Sequence, residues 1–218
     1  RPDLDHEGTQ YHHLENSFGF IPCILGRNDI YNMQEVAVDM LLHHLEWTGD
    51  MALAGEFFDA VAGVLDWEER ILDPDGDGLY QNFLNTWISD GHSYNGGGCA
   101  QSSAYNYRAN LMMAKIAEKL GRPGDIFRTR AKRTFDAVQE KLWLEDKGVL
   151  AEHVDTVGNR LVHPSPELST IYLAVDCGLA DMFQARRMLR FVETELRGER
   201  TPGGGRLFYS SNWLPKKY

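Results

Sequence analysis

The chain has 218 residues, a formal net charge of −10, 43% hydrophobic residues and 11% aromatic residues. The acidic balance argues against a nucleic-acid partner, because nucleic-acid binding needs a basic surface. No apolar run approaches the ~18–20 residues of a membrane-spanning helix, so we also expect no membrane partner. The length and hydrophobic content suit one domain with a substantial core, and we treat residues 1–218 as that domain.

The first half of the chain predicts a helical hairpin. Residues 31–48 place the apolar side chains of Val36, Met40, Leu41 and Leu45 on one helical stripe. Gly49 and Asp50 end that pattern, and a second amphipathic helix is predicted over residues 51–72. Four further helices are predicted, at residues 102–120, 125–144, 167–178 and 181–196. They form two more hairpins, with turns at Gly121 and Gly178. The tryptophans of these helices, Trp47, Trp67 and Trp143, are expected in the core.

The spacing of the turns predicts where a site can form. From Gly49 to Gly121 there are 72 residues, and from Gly121 to Gly178 there are 57. Each hairpin has a tight turn and is followed by a long polar connection, so we expect the long connections to gather at one end of the helix stack. Residues 149–154 and 158–162 predict a small β-hairpin within one connection, and residues 206–209 predict a short strand.

Three hairpins of amphipathic helices are too few to close a ring, and their exposed apolar flanks need neighbouring helices. We therefore predict an all-α fold, an (α/α) toroid of helical hairpins amounting to about half of an (α/α)6 barrel, with a small β-hairpin insertion. The chain begins at Arg1 and not at Met, so we expect missing chain, or another chain, to supply the remainder of the barrel. The alternative is a self-contained irregular helical bundle.

Residues 73–94 form the segment richest in chemical groups. They read DPDGDGLYQNFLNTWISDGHSY, with alternating aspartates, three glycines and a single tryptophan. Carboxylates that can bond hydroxyl groups, together with an aromatic face for a pyranose ring, are typical of a sugar-binding loop. The alternative is a glycine-rich surface turn with solvated carboxylates.

The motifs of this segment resemble a known superfamily. They are DGDGL at residues 75–79, NTW at 85–87, G-x-S-Y-N-G-G at 91–97 and the helix ending A-x-x-L-G-R at 117–122. Their order resembles the six-hairpin (α/α)6-barrel glycosidase superfamily. It is most similar to β-glucosidases of the non-lysosomal glucosylceramidase type and to uncharacterised bacterial glycoside hydrolases. The resemblance implies a glycoside hydrolase.

One position departs from the glucosylceramidase pattern. In those enzymes the residue before Thr-Trp is the acid/base aspartate, and here it is Asn85. An amide cannot release a proton near neutral pH, so Asn85 cannot serve as the acid. Either the acid lies elsewhere, with Asp90 five residues further on, or the chain belongs to an inactive relative.

Two carboxyl groups are the candidate catalytic residues, because glycosidic cleavage normally needs a pair. Asp90 is the first candidate and Glu167, at the equivalent joint before the third hairpin, is the second. The alternative for Asp90 is a carboxylate that holds the turn. The alternative for Glu167 is a charge that complements the dipole of the following helix.

Five residues are candidates for substrate binding. Trp87 and Tyr94 offer rings that can stack on a sugar, and His92 lies between them. Glu152 and His153 lie in the predicted β-hairpin, where they can overhang the barrel mouth. The alternative for Trp87 is core packing, and for Glu152 and His153 it is an exposed strand face.

The aspartates at positions 73, 75 and 77 raise the question of a cofactor. Asp73, Asp75, Asp77 and Gly78 match the first half of a calcium loop, but the twelfth position, which should be Glu, is Leu84. An irregular calcium site is one interpretation, and hydrogen bonding of these carboxylates to nearby backbone amides is the simpler one. We predict no cofactor.

The cysteines and paired histidines predict no metal site either. Cys23, Cys99 and Cys177 are odd in number and far apart, so they indicate neither a disulfide framework nor a zinc site. The adjacent histidines at 12–13 and 43–44 would point about 100° apart on a helix and cannot easily share one ion.

The leading prediction is a glycoside hydrolase, or a fragment of its catalytic domain, acting on an oligosaccharide or glycoside by carboxylate acid/base catalysis. One alternative is a non-catalytic carbohydrate-binding or scaffold module of the same fold, which Asn85 favours. Another is a sugar epimerase on a related helical barrel, in which His92 or His153 would carry the acid/base chemistry.

Overall fold

The structure is a computed structural model that describes residues 31–81, 84–85, 92–93, 97–156, 158–164, 166, 168–195, 198–200 and 206–208. The helices are α1 (Tyr31–Thr48), α2 (Met51–Leu72), α3 (Ala100–Leu120), α4 (Asp125–Lys141), α5 (Leu168–Asp176) and α6 (Met182–Thr194). The short strands are β1 (Leu84–Asn85), β2 (His92–Ser93), β3 (Gly97–Cys99), β4 (Trp143–Leu144), β5 (Val149–Leu150), β6 (His153–Asp155), β7 (Val162–His163), β8 (Gly198–Arg200) and β9 (Arg206–Phe208). Among the described helices, none combines the length and apolarity that crossing a bilayer requires.

The six helices form the three predicted hairpins, and their boundaries follow local signals. Gly49, Gly121 and Gly178 have φ values of 67°, 67° and 80°, a left-handed conformation that glycine adopts without the steric cost of a Cβ atom. The second helix of a hairpin begins at a capping aspartate in two cases: Asp50 accepts from the amide of Leu53, and Asp181 forms a capping box with Gln184. Tight turns therefore lie at one end of each pair.

Helix α3 is the centre of the assembly. It packs against α1 and α5, and it also contacts α2 and its hairpin partner α4. The first helices of the three hairpins thus form a continuous row, α1–α3–α5. The fold is mostly helical with small β elements, as predicted, and this arrangement is compatible with a partial helical toroid.

Two large apolar clusters hold the helices together. One lies among α1, α2 and α3 and includes Leu42, Val61 and Met113, and the other joins α3 to the second half of the chain. The apolar stripe predicted for α1 is wrong in part, because Met40 is 68% exposed and Val38 and Leu42 are buried instead. Burial of such aliphatic side chains contributes about 1.5–3 kcal/mol each.

The strands occupy the connections between hairpins and pair differently from the prediction. The expected hairpin of residues 149–154 with 158–162 is replaced by two pairs: β6 pairs with β7, while β5 pairs with β4 just after α4. The strand predicted at 206–209 is present as β9, paired with β8. The register of β6 with β7 determines which side chains meet at the candidate site.

Candidate functional site at the junction of the two long connections

The two long connections meet in one small sheet. Strand β3, at the end of the α2–α3 connection, pairs antiparallel with β6 of the α4–α5 connection, and β7 completes the three-stranded sheet. Gly97 lies opposite Asp155, and Cys99 lies opposite His153. Segments about 55 residues apart in sequence therefore lie side by side next to the start of α3, as expected for long connections that gather at one end of the stack.

Glycines make this junction sterically feasible. A Cβ atom on Gly97 would lie 2.5 Å from the carbonyl oxygen of Val154 and 2.7 Å from Cδ2 of His153. A Cβ atom on Gly98 would lie 2.5 Å from Cβ of Leu79. The glycine run of the sequence motif thus allows β3 to pack closely between β6 and the chain that follows α2.

The first connection is fixed to the start of α3 by several hydrogen bonds. The amide of Cys99 donates to the carbonyl of Tyr80 at 2.9 Å, and the amide of Tyr80 donates to Oγ of Ser103 at 3.0 Å. Sγ of Cys99 caps α3 by accepting from the amide of Ser102. Burial raises the pKa of the Cys99 thiol to about 12, so the thiol is protonated and serves packing and capping.

Hydrogen bonds organise the aspartate loop after α2. Asp73 accepts from the amides of Asp77 and Gly78, and Asp77 accepts from the amide of Leu79. Burial raises the pKa of Asp73 to about 6 despite these partners. Each carboxylate of the loop also pairs with a basic side chain; the three pairs are Asp73–Arg133, Asp75–Arg160 and Asp77–Lys141. The expected hydrogen bonds to backbone amides are present at Asp73 and Asp77. The absence of a cofactor stays a prediction, with an irregular calcium site at this loop as its alternative.

Glu152 ties the second connection to both neighbouring helices. Its amide donates to the carbonyl of His163 at 2.8 Å, and its carbonyl accepts from the amide of Ala100, the first residue of α3. Oε2 of its carboxylate accepts from Oγ1 of Thr170 on α5 at 2.7 Å. The side chain is buried, so the alternative of an exposed strand face is wrong for Glu152.

Two histidines and one aspartate cluster on β6 and β7. The rings of His153 and His163 are stacked with centroids 3.9 Å apart, and Nε2 of His163 is 2.8 Å from Oδ1 of Asp155. The same oxygen lies 3.9 Å from Nε2 of His153. Burial, together with the neighbouring His163, lowers the pKa of His153 to about 4. His153 is buried as well, so an exposed strand face is wrong for it too.

A buried polar stripe runs along α3 from its first turn. Ser102, Asn106 and Asn110 are spaced four residues apart and are each at most 1% exposed. Asn106 donates from Nδ2 to Oε1 of Glu35 on α1 at 3.2 Å, and it is also a hydrogen-bond partner of Glu68 on α2. Burial raises the pKa of Glu68 to about 8, so this carboxyl group is mostly protonated at neutral pH. The interior of the helical stack therefore contains carboxyl groups as well as apolar side chains.

Most of the site residues predicted for the first connection lie outside the described residues. His92 is placed only as a backbone position in β2, opposite Asn85. The predicted residues that the structure does not describe are Asp90, Glu167, Trp87 and Tyr94. Their roles therefore stay predictions.

The structure brings the other two predicted residues, Glu152 and His153, together at the sheet. Beside them lie three residues that sequence reasoning missed: Asp155, His163 and Thr170. The H-x-D spacing at 153–155 is a signal that could have identified Asp155. His163 joins the cluster only through the β6–β7 register, for which the sequence has no comparable signal.

The chain matches no protein-family model and no curated protein sequence. Among solved structures it is similar to a GH78 family rhamnosidase of Bacillus sp. GL1, with a TM-score of 0.63 and 19% identity over 76% of this chain and 17% of that one. It is also similar to a rhamnosidase from Klebsiella oxytoca solved with rhamnose bound, with a TM-score of 0.56 and 18% identity over 75% and 30% of the two chains. A third is a GH63 mannosylglycerate hydrolase from Thermus thermophilus, solved in complex with Tris, with a TM-score of 0.63 and 12% identity over 88% and 64% of the chains.

The chain shares its fold with part of these glycoside hydrolases. It spans between 17% and 64% of their lengths, so it corresponds to a portion of each. These similarities show a shared fold. Membership of the six-hairpin glycosidase superfamily and the closer similarity to glucosylceramidase-type enzymes stay predictions.

Proposed function

We propose that this chain is part of the catalytic domain of a glycoside hydrolase and that its substrate lies where the two long connections meet. The observation that carries the proposal is the pairing of β3 with β6, which joins the α2–α3 connection to the α4–α5 connection. A reaction that needs two carboxyl groups can therefore draw one from each connection.

Asp90 and Glu167 are the carboxyl groups of this proposal. In sequence, Asp90 falls between β1 and β2 in the first connection, and Glu167 immediately precedes α5 in the second. The sheet links the two connections. One group protonates the leaving oxygen, and the other serves as base or nucleophile.

The sugar subsite combines residues of both connections. Trp87 and Tyr94 provide aromatic rings for the C–H face of a sugar, and His92 provides a hydrogen-bonding group. Glu152 and His153 border the subsite from the second connection. In this arrangement Thr170 holds the Glu152 carboxylate in place through its 2.7 Å hydrogen bond.

The proposed domain includes helices beyond the three hairpins described. Helix α6 exposes Met182, Phe183 and Leu189 at 78%, 73% and 55%, an apolar surface that a neighbouring helix would cover. The solved glycoside hydrolases extend well beyond the part that this chain matches. In the proposal, further hairpins from the same chain or from another chain complete the ring.

The test is hydrolysis of aryl glycosides by the purified protein together with the hairpins that complete its ring, whether they come from the same chain or from another. Glucosides are tested because of the sequence resemblance to β-glucosidases. Rhamnosides and mannosides are tested because the structural neighbours include a rhamnosidase and a mannosylglycerate hydrolase. Asp90→Asn and Glu167→Gln should each lower kcat by about 10²–10⁴-fold on whichever glycoside is cleaved, because each removes a proton-transfer or nucleophilic group. Asp125→Asn, a change at a solvated carboxylate at the start of α4, is the matched control and should keep full activity.

Full hydrolysis by both Asp90→Asn and Glu167→Gln would contradict the assignment of the carboxyl groups. Glycan binding without release of reducing sugar would favour the carbohydrate-binding module, which Asn85 supports. Epimerisation of a sugar that is lost on His92 or His153 substitution, with Asp90 dispensable, would favour the epimerase.

A further inference from the structure

The β6–β7 hairpin places three potential metal ligands on one face. His153 lies directly opposite His163 across the two strands, and opposite residues of an antiparallel pair share a face of the sheet. Asp155 is two residues beyond His153 on the same strand, so its side chain projects from that face too. The pattern is therefore fixed by the backbone register.

The donor atoms of the trio are close together. One ligand atom from each of His153, Asp155 and His163 can be chosen such that all three lie within 4.8 Å of one another. Four-coordinate zinc with bonds of about 2.0–2.1 Å holds its ligand atoms about 3.4 Å apart. The side chains of His163 and Asp155 are 41% and 28% exposed. They therefore have room to rotate and bring the ligand atoms to the shorter separations of a zinc site.

The chemistry of the three donors selects a class of ion. Two imidazole nitrogens and one carboxylate oxygen suit a borderline divalent transition-metal ion, whereas Ca²⁺ and Mg²⁺ prefer oxygen ligands throughout. Three protein ligands leave a fourth position open to solvent or to a bound hydroxyl group. The partial exposure of His163 and Asp155 gives an ion a path to the site.

We propose that His153, Asp155 and His163 bind one divalent transition-metal ion, with Zn²⁺ as the preferred ion, and that the ion cross-links β6 to β7 beside the junction of the two connections. The site is distinct from the carboxyl groups proposed for catalysis, and it does not depend on glycosidase activity. It also differs from the cluster of Asp73, Asp75 and Asp77, which offers only oxygen ligands and shares its charge with three basic side chains.

The binding test uses untagged protein freed of metal by a chelator and titrated with Zn²⁺ against a chromophoric competitor. The wild-type protein should bind one equivalent of Zn²⁺. His163→Gln and Asp155→Asn should each lower the affinity for that ion by at least about 10-fold. Gln at position 163 can still donate a hydrogen bond to Asp155, so this variant removes the imidazole ligand while keeping the local contact. His44→Ala, at an exposed position of α1, is the control and should leave that affinity unchanged.

Two further readouts separate a built site from adventitious binding. At one fixed Zn²⁺ concentration, the melting temperature of the wild-type protein and of the His44→Ala control should rise by more than that of His163→Gln or Asp155→Asn. Co²⁺ should give visible absorption bands of a four-coordinate site in the wild type and not in those two variants. Equal affinity in the wild type and both trio variants, or no binding by the wild type, would overturn the proposal.

Discussion

Glu68 shows how one buried carboxyl group can set the pH dependence of stability. The side chain is 1% exposed and lies in a small buried space lined also by Glu35 of α1 and Asn106 of α3. Its pKa is raised from 4.5 to about 8, chiefly by desolvation, so the folded protein keeps a proton that the unfolded chain has released over that interval. The contribution to stability is full below about pH 4.5 and is lost as the pH rises towards about 8.

Replacing Glu68 by Gln should therefore flatten the pH dependence of stability. Between about pH 4.5 and 8 the wild type should lose stability as the pH rises, by on the order of 1 kcal/mol per pH unit, and the variant should not show this loss. Denaturant unfolding across this pH range measures the difference, and Glu56→Gln on the same helix should behave as the wild type. Asp73 titrates in part of the same range but is present in all three proteins. Identical pH profiles for Glu68→Gln and the wild type would contradict the role assigned to Glu68.

The stability of the protein should be sensitive to the addition of a single methyl group at Gly97. Gly97→Ala should destabilise the protein by about 1–3 kcal/mol, because its Cβ would meet the backbone of Val154 at 2.5 Å and backbone cannot simply rotate away. Gly55→Ala is the matched control: it lies inside α2, its Cβ would meet only Leu120 at 3.9 Å, and it should stabilise the protein by up to about 1 kcal/mol. Thermal unfolding compares the two. Equal stability of Gly97→Ala and the wild type would show that β3 does not approach β6 as closely as described.

Arg108 links the first helices of the three hairpins. From α3 its guanidinium binds both carboxylate oxygens of Asp39 on α1 at 2.8 Å, and it also bonds Asp176 at the end of α5. Arg108 and Asp39 are 12% and 15% exposed, so the pair is shielded from solvent and salt. A planar guanidinium suits this bidentate contact, for which a lysine would be a poor replacement.

Arg108→Met should cost about 2–4 kcal/mol in the free energy of unfolding, since it leaves the partly buried carboxylate of Asp39 without its main partner. A double-mutant cycle with Asp39→Asn should give a coupling energy above about 1 kcal/mol. The same cycle on the exposed pair of Arg128 with Glu118 should give less than about 1 kcal/mol. Coupling energies that are the same for both pairs would remove the structural role assigned to Arg108.

Helices were predictable where their signals are local. The hairpins and their turns follow from apolar periodicity and from glycines at positive φ, and the observed helix boundaries differ from the predicted ones by only a few residues. The burial of individual side chains is harder to predict, because it depends on which helices pack beside them. Trp47 is 87% exposed although the core was expected for it, whereas Trp67 is buried as expected.

The candidate site depended on long-range pairing and was predictable only in part. The position of their segment between hairpins was enough to make Glu152 and His153 candidates. Their burial could not be predicted, since it comes from β3 and α5 packing against the second connection. The partnership of His163 with Asp155 requires the strand register, which propensity does not determine when the strands are only two or three residues long.

The proposed catalysis requires the two long connections to lie side by side. When the connections lie side by side, side chains that precede α3 and side chains that precede α5 can act on one substrate. If they do not, Asp90 and Glu167 have no common site, and the shared fold with glycoside hydrolases would carry no functional meaning for this chain.

A disulfide across β3 and β6 tests that arrangement most directly. Cys99 lies opposite position 153, and opposite strand partners are about 4.5–5.5 Å apart at Cα, within the range that a disulfide spans. With Cys23 and Cys177 replaced by Ser, His153→Cys should form an intramolecular disulfide with Cys99 on mild oxidation, seen as one linked peptide pair by mass spectrometry. Val154→Cys, whose opposite residue is Gly98, should not. Efficient linkage in His153→Cys alone is the predicted result; no linkage there, or equal linkage in both variants, would contradict the side-by-side arrangement.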